Sequence, residues 1–286
     1  MTHRMQTILS RGNVAVITGA AQGIGAAIAS NLAARGMKLA LFDRNGPRLE
    51  AFAQSLPTEA MTIIGDVANR ADLTRLRDEA ARLGAVSLLV NNAAIGKKAG
   101  PWDEPEAWRE ILDINFLSAL TTQHLFVPAM LEGNHPAAIV NLGSKEGITT
   151  PPGNAAYSVA KAGIKVLTEQ LEHELRNATA GRVSAHLLVP GYTWTPMNFP
   201  GMDASHDEKP QAPWSAGQLV THFLERLLNE DFYIICPDNE VSTDLDKMRL
   251  QWAADDMIEN RPALSRWAPG WSEKFQAWLR VRQTEA

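Results

Sequence analysis

Tyr157 and Lys161 stand four residues apart in a stretch with helical periodicity, which puts both on one helix face. That pairing has a chemical use. An ordinary tyrosine has a pKa of about 10 and is a poor base at neutral pH. A cation beside it stabilises the phenolate and lowers that value. Ser144 ends the preceding apolar segment, and its hydroxyl can hold a substrate oxygen while Tyr157 takes or gives the proton. Loss of an alcohol proton leaves hydride to move to a nicotinamide. Tyr and Lys at this spacing occur by chance in many helices, so the weight rests on what accompanies them.

A dinucleotide signal accompanies them. The apolar run Val14 to Thr18 passes at once into Gly19, Gln22, Gly23, Ile24 and Gly25. Glycines here let the backbone turn tightly and approach a pyrophosphate, and the helix that follows offers free N–H groups and a positive dipole end. Asp43 follows the second apolar run, where an acid can accept hydrogen bonds from both ribose hydroxyls of NAD and repel the extra phosphate of NADP. Arg44 keeps a second reading open, because an arginine there can hold that phosphate or stack on the adenine. Gln22 is the polar residue of the glycine turn, which carries no basic side chain, and this favours NAD. Asp66 can hydrogen-bond the adenine amino group with Val67 beside the ring. Asn91, Asn92, Ala93 and Ala94 offer small residues and amides at the cofactor edge. Each of these alone would be an ordinary turn signal. In chain order with Ser144 and Tyr157 they reinforce one another.

The elements that must position these residues alternate. Strands are predicted over 14–18, 38–42, 61–64, 87–90, 137–142, 182–189 and 232–236. Helices are predicted over 26–35, 48–55, 70–83, 104–132, 155–176 and 218–228. This rhythm predicts an α/β fold, a doubly wound parallel sheet with helices on both faces. The segment 190–216 is irregular and rich in proline, as an active-site lid is. The chain reads as one Rossmann-like domain over 1–236, with the substrate loop at 190–217 and a polar, Trp-rich extension over 237–286.

Composition excludes several classes. The 286 residues are 45% hydrophobic and 21% charged, which is ordinary for a globular chain. A net charge of −5 implies no broad basic surface for nucleic acid. One cysteine, Cys236, precludes an intrachain disulfide and suits a reducing compartment. No metal-ligand spacing is present, and no metal is expected. The N-terminus is too polar for a signal peptide, and no apolar run reaches membrane-spanning length. A cytoplasmic protein is expected.

The motifs TGAAQGIG (18–25), Asp66-Val67, NNAA (91–94), Asn115, Ser144, YSVAK (157–161) and Pro190-Gly191 together resemble the short-chain dehydrogenase/reductase family over roughly residues 10–236. The resemblance implies a seven-stranded parallel sheet and a catalytic set of Asn115, Ser144, Tyr157 and Lys161. It implies that Asn115 helps hold a water linked to Lys161, and that Lys161 contacts the nicotinamide ribose. Pro190, Gly191, Thr193 and Thr195 would then border the nicotinamide, with Thr195 orienting the carboxamide. It also implies a homodimer or homotetramer built on the helices over 104–132 and 155–176.

Departures from the family pattern mark this chain. Ala94 stands where glycine is usual, Thr193 where an aliphatic is usual, and Lys145-Glu146 where small residues are usual. These two charges either lean into the site mouth or pair in solvent, and the second is the expectation. The tail tryptophans Trp252, Trp267, Trp271 and Trp278 are expected to anchor the extension on the domain or a neighbouring subunit. Trp194, Trp214, Met197, Phe199 and Met202 suggest a bulky, apolar or aromatic substrate. The expected activity is NAD-dependent interconversion of a secondary alcohol and a ketone. An NADPH-dependent carbonyl reductase, a non-catalytic nucleotide sensor and a sugar-nucleotide epimerase or dehydratase are the alternatives.

Overall fold

In the computed structural model, which describes residues 4–202 and 206–285, the apolar runs become strands buried on both faces. A short helix, α1 (Arg4–Ile8), leads into β1 (Val14–Thr18), and α2 (Gly23–Ala34), β2 (Lys38–Asp43), α3 (Gly46–Gln54), β3 (Ala60–Ile64), α4 (Arg70–Leu83) and β4 (Val86–Asn91) follow. After β4 the chain crosses through α5 (Pro105–Leu112), a turn of π-helix (Asp113–Leu117) and α6 (Ser118–Glu132) to β5 (Ala137–Leu142). Next come α7 (Glu146–Thr149), the long α8 (Ala155–Thr179) and β6 (Val183–Val189). A two-residue pair, β7 (Thr193–Trp194) and β8 (Trp214–Ser215), then brackets the proline-rich loop. Residues 203–205 of that loop lie outside the described residues. Finally α9 (Ala216–Leu228), β9 (Tyr233–Ile235), α10 (Thr243–Ile258) and α11 (Ser272–Glu285) complete the chain.

Seven strands form one sheet in the order β3-β2-β1-β4-β5-β6-β9, every neighbour parallel. The order reverses between β1 and β4, and the carboxyl ends of those two strands open the crevice where such sheets bind ligands. Helices bury both faces. Ile28 and Leu32 of α2 pack with Phe223 and Leu227 of α9 on one side. Leu73 and Leu76 of α4 pack with Phe126 and Met130 of α6 and Leu175 of α8 on the other. Among the described residues no helix is long and apolar enough to cross a membrane.

One sequence expectation needs correction. The helix expected over 104–132 is interrupted by the π turn, which contains Asn115. A wide turn of this kind frees backbone groups from the α-helical ladder and recurs at functional sites. Three of the tail tryptophans gather with one another. Trp252, buried, meets Trp271, Trp278 and Phe275 edge-on at 6.5, 5.4 and 5.2 Å between ring centres. Its indole N–H donates to Ser265 Oγ at 2.7 Å, and the Arg261 guanidinium lies 4.3 Å from its ring centre. Trp267 is 38% exposed. The extension therefore builds a small aromatic core of its own, because α10 and α11 offer each other the apolar faces that the already covered sheet does not need.

Candidate active site

The crevice at the switch point is a cavity of about 640 Å³ that runs from the glycine turn to the mouth of the proline-rich loop. Gly19, Gln22, Gly23 and Ile24 line one end. Gly25 does not line it, yet it shapes the turn: a Cβ there would sit 2.2 Å from the Gly19 carbonyl oxygen. Asn92 fixes the same turn, its amide donating to the carbonyls of Thr18 and Gly19 at 2.9 Å each. The Gln22 side chain does not cap α2, so the N–H groups of its first turn remain available to an anion at the cavity edge.

Asp43 reaches from the end of β2 to the glycine turn. Its carboxylate accepts the N–H groups of Ala21 at 3.0 Å and Asn45 at 2.9 Å while it lines the cavity. A carboxylate oxygen has capacity for a further hydrogen bond, so Asp43 can also take a ribose hydroxyl. Arg44, Asp66, Val67, Ala93 and Ala94 line the same region, and Asp66 spends one oxygen on the Ala68 N–H at 2.9 Å. Pro190, Gly191, Thr193 and Thr195 line the other end. The residues present fit a dinucleotide: a close-approach glycine turn, unspent helix N–H groups and a carboxylate beyond them.

Ser144, Tyr157 and Lys161 meet in the middle of this cavity. Ser144 Oγ accepts the Glu146 N–H at 3.1 Å and lies beside the Tyr157 hydroxyl, whose phenolate it favours. Lys161 Nζ donates to the Leu142 carbonyl at 2.8 Å and lies 5.8 Å from the centre of the Tyr157 ring. Both side chains are buried. The lowered tyrosine expected from the sequence does not hold for the protein alone. Burial pushes the Tyr157 hydroxyl up to about 12; the Ser144 side chain opposes this, and the charge of Glu146 adds to it. Burial brings Lys161 down to about 8. Desolvation is the largest influence on both groups.

Asn115 does not line the cavity. Its side-chain oxygen accepts the Ile95 N–H at 2.8 Å and its amide donates to the Ile95 carbonyl at 3.0 Å. It holds the segment after β4 against the π turn.

Lys145 does not pair in solvent. Its Nζ lies 3.3 Å from Asp238 and 2.8 Å from Asp246, two carboxylates that are 4% and 3% exposed. Burial pushes Asp238 up, but the Tyr192 N–H, Lys145 and the N–H groups of Glu240 and Val241 together hold it below the usual carboxylate value. Burial holds Asp246 above it despite Lys145. Lys145 and Asp238 both line the cavity mouth, so the extension reaches the site through Asp238 and not through a tryptophan. Of the residues read as apolar substrate contacts, Met197 lines the cavity; Trp194, Phe199, Met202 and Trp214 do not. Phe199 instead packs on Tyr192, which does, at 5.5 Å.

Sequence reasoning missed a buried polar ladder behind the site. Thr122 Oγ1 donates to Asn91 at 2.6 Å, Asn91 to Asn141 at 2.8 Å, and Asn141 to Thr168 at 2.9 Å. The signal was an asparagine inside the otherwise apolar run AAIVNL. Glu146 lines the cavity, as the reading that placed its charge at the site mouth has it, while Lys98, Asn154 and Tyr192 were missed as cavity residues. Those three sit in loops, where no periodicity points inward.

Comparison with known proteins agrees with this geometry. The family model described as short chain dehydrogenase matches residues 13–204. A galactitol 2-dehydrogenase (L-tagatose-forming) of Cereibacter sphaeroides is 35% identical over 193 residues, 66% of this chain and 74% of that one. A short-chain dehydrogenase/reductase of Burkholderia phymatum, solved in complex with NAD, superposes with a TM-score of 0.77 at 29% identity, over 88% of this chain and 96% of that one. An alcohol dehydrogenase of Thermococcus sibiricus, solved with 5-hydroxy-NADP, gives 0.65 at 25% identity, over 77% and 91%. With its sheet order, its glycine turn and its Ser-Tyr-Lys centre, the chain belongs to the short-chain dehydrogenase/reductase family of oxidoreductases.

Proposed function

We propose that the protein is an NAD-dependent dehydrogenase that interconverts a secondary alcohol and a ketone. The observation that carries this is the convergence of Ser144, Tyr157 and Lys161 in the cavity that Asp43 and the glycine turn share. When bound, an oxidised nicotinamide dinucleotide supplies the hydride acceptor and a positive charge beside the phenol. Gly19, Gln22, Gly23 and Ile24, with the first turn of α2, hold its pyrophosphate. Asp43 takes the ribose hydroxyls, Asp66 and Val67 the adenine, and Pro190, Gly191, Thr193 and Thr195 the nicotinamide side, with Ala93 and Ala94 leaving room between.

Ser144 donates to the substrate oxygen and orients the carbinol. Tyr157 accepts the carbinol proton as hydride leaves, and returns it in the reverse direction. Lys161 stabilises the phenolate from below and holds the nicotinamide ribose. Asn115 positions this group through Ile95 and, by its main chain, a water leading to Lys161. Tyr192 and Met197 offer an apolar wall to the substrate's carbon skeleton. We read the working form as a cytoplasmic homodimer or homotetramer, with residues 1–236 forming the dinucleotide-binding domain and 237–286 its extension.

NADPH is the second reading, because Arg44 also lines the adenosine end. Asp43 weighs against it: its carboxylate occupies the place where a 2′-phosphate would need positive charge. The test is steady-state oxidation of a panel of secondary alcohols with NAD and with NADP. NAD-linked turnover should fall by about a hundred- to ten-thousandfold in Tyr157→Phe, with NADH binding retained. Asp43→Ser should erode the NAD preference about tenfold, the worth of one charged hydrogen bond. Turnover that survives Tyr157→Phe overturns the mechanism, and an unchanged cofactor ratio in Asp43→Ser overturns the role of Asp43.

A further inference from the structure

Glu146 is an unfavourable residue for the reaction it sits beside. The Tyr157 hydroxyl must become a phenolate when an alcohol is oxidised, and a carboxylate near it opposes that change. The fold nonetheless brings Glu146 there. Gly147 lies so close to α8 that a Cβ would sit 2.5 Å from the main-chain carbon of Lys161. This contact seats the start of α7 on the helix that carries Tyr157. The Glu146 main chain also holds Ser144 through its N–H. Its side chain is therefore fixed at the reacting end of the cavity, which it lines together with Asn154 and Lys98.

The hydrogen bonding there is incomplete. The Asn154 side chain lies beside the Glu146 carboxylate and favours its charged form. Glu146 Oε2 and Asn154 Oδ1 are both buried and find no donor among the described residues. Burial holds the Glu146 carboxyl above its usual value, with the Asn154 side chain and Lys98 working the other way. An unmet buried acceptor forfeits the hydrogen bond it had to water. Two of them side by side, in a cavity wall next to the reacting hydroxyl, mark a place where a ligand supplies the donors.

We propose that Glu146 and Asn154 form a hydroxyl-recognition subsite beside Ser144 and Tyr157, and that the substrate is a vicinal diol or polyol whose second hydroxyl donates to this pair. The inference rests on the dehydrogenase reading above and narrows its substrate class. The apolar wall of Tyr192 and Met197 then faces the carbon skeleton, while the opposite wall reads the hydroxyl next to the reacting carbon. A site built to hydrogen-bond a substrate hydroxyl rejects the analogue that lacks it, since its own polar groups are then left unpaired.

The test compares cis- and trans-1,2-cyclohexanediol with cyclohexanol as NAD-linked substrates of the wild type, Glu146→Gln and Asn154→Ala. The wild type should show at least a tenfold higher kcat/KM for one of the diols. Both variants should lose about tenfold in the ratio of kcat/KM for that diol to kcat/KM for cyclohexanol, mainly through the KM of the diol. Glu146→Gln also removes charge from beside Tyr157, so the acid limb of the pH profile should move to lower pH for every substrate alike. The ratio of diol to mono-alcohol is thus the readout that a general effect on Tyr157 does not move. A wild type that treats diol and cyclohexanol equally, or variants that lose both equally, overturns the proposal and leaves the dehydrogenase reading intact. If no alcohol is oxidised, that reading falls. The melting shift of NADH-saturated protein with each compound then decides the subsite: a larger shift with the diol, erased in Glu146→Gln, supports it, and equal shifts overturn it.

Discussion

Lys161 carries the clearest physical cost in the site. It is wholly buried and its ammonium is brought down to about 8, while an unfolded chain keeps that proton to about 10.5. Between these values the unfolded state binds more protons, so this group makes stability rise with pH across that window. Below 8 both states are protonated and the full burial penalty stands. Urea unfolding at pH 7.5 and 9.5 should therefore show the wild type gaining on Lys161→Met by about 2 kcal/mol, at about 1.4 kcal/mol for each unit above 8. Equal slopes in the two proteins would show that Lys161 keeps its proton inside. The identities of Ser144, Tyr157 and Lys161 were legible in the sequence because each is tied to a strand end or a helical spacing. The sign of the Tyr157 shift was not, because spacing says which groups are near but not how much water burial removes. The same limit hid the pairing of Glu146 with Asn154, which depends on how closely α7 can lie on α8.

At the scale of elements, the strands were legible nearly to the residue, since a parallel sheet buried on both faces writes itself as continuous apolar runs. The break inside 104–132 was not legible, because a π turn keeps the apolar pattern and changes only the hydrogen-bond ladder. The destination of Lys145 was hidden for another reason: its partners Asp238 and Asp246 lie far along the chain, one before α10 and one within it. Those ion pairs join the helix after Ser144 to the start of the extension, with Lys145 itself only 18% exposed. Removing the cation leaves Asp238 to its main-chain N–H groups and Asp246 to Arg249 at 4.0 Å, where breaking a buried pair costs up to about 3–5 kcal/mol. Lys145→Met should therefore destabilise the protein by about that much and expose residues 237–242 to limited proteolysis. Asp246→Asn should do less, since one carboxylate still faces Lys145 and burial already holds Asp246 above its usual value. Proteolysis unchanged in Lys145→Met would mean that the aromatic core of the extension holds it in place without the ion pairs.

At the scale of the whole molecule, the distribution of exposed apolar side chains is uneven. Leu117 and Leu120, at the join of the π turn and α6, are 40% and 43% exposed, and Val159 and Val166 of α8 are 51% and 54% exposed. They lie on the two helical segments that the family resemblance marks as subunit contacts, and single exposed apolar residues elsewhere are ordinary. Covering these faces with a second copy would also steady the catalytic residues, because α8 carries Tyr157 and Lys161 and the π turn carries Asn115. Assembly and activity should then fall together. Leu120→Glu combined with Val166→Glu places charges on both faces without touching the cavity, which neither residue lines. Light scattering should show the wild type as a dimer or tetramer and the double variant as a monomer, with kcat reduced at equal cofactor affinity. A wild type that is already monomeric, or a monomeric variant with full activity, would separate the site from the assembly and leave the packing of α8 on the sheet as the sole support of the catalytic side chains.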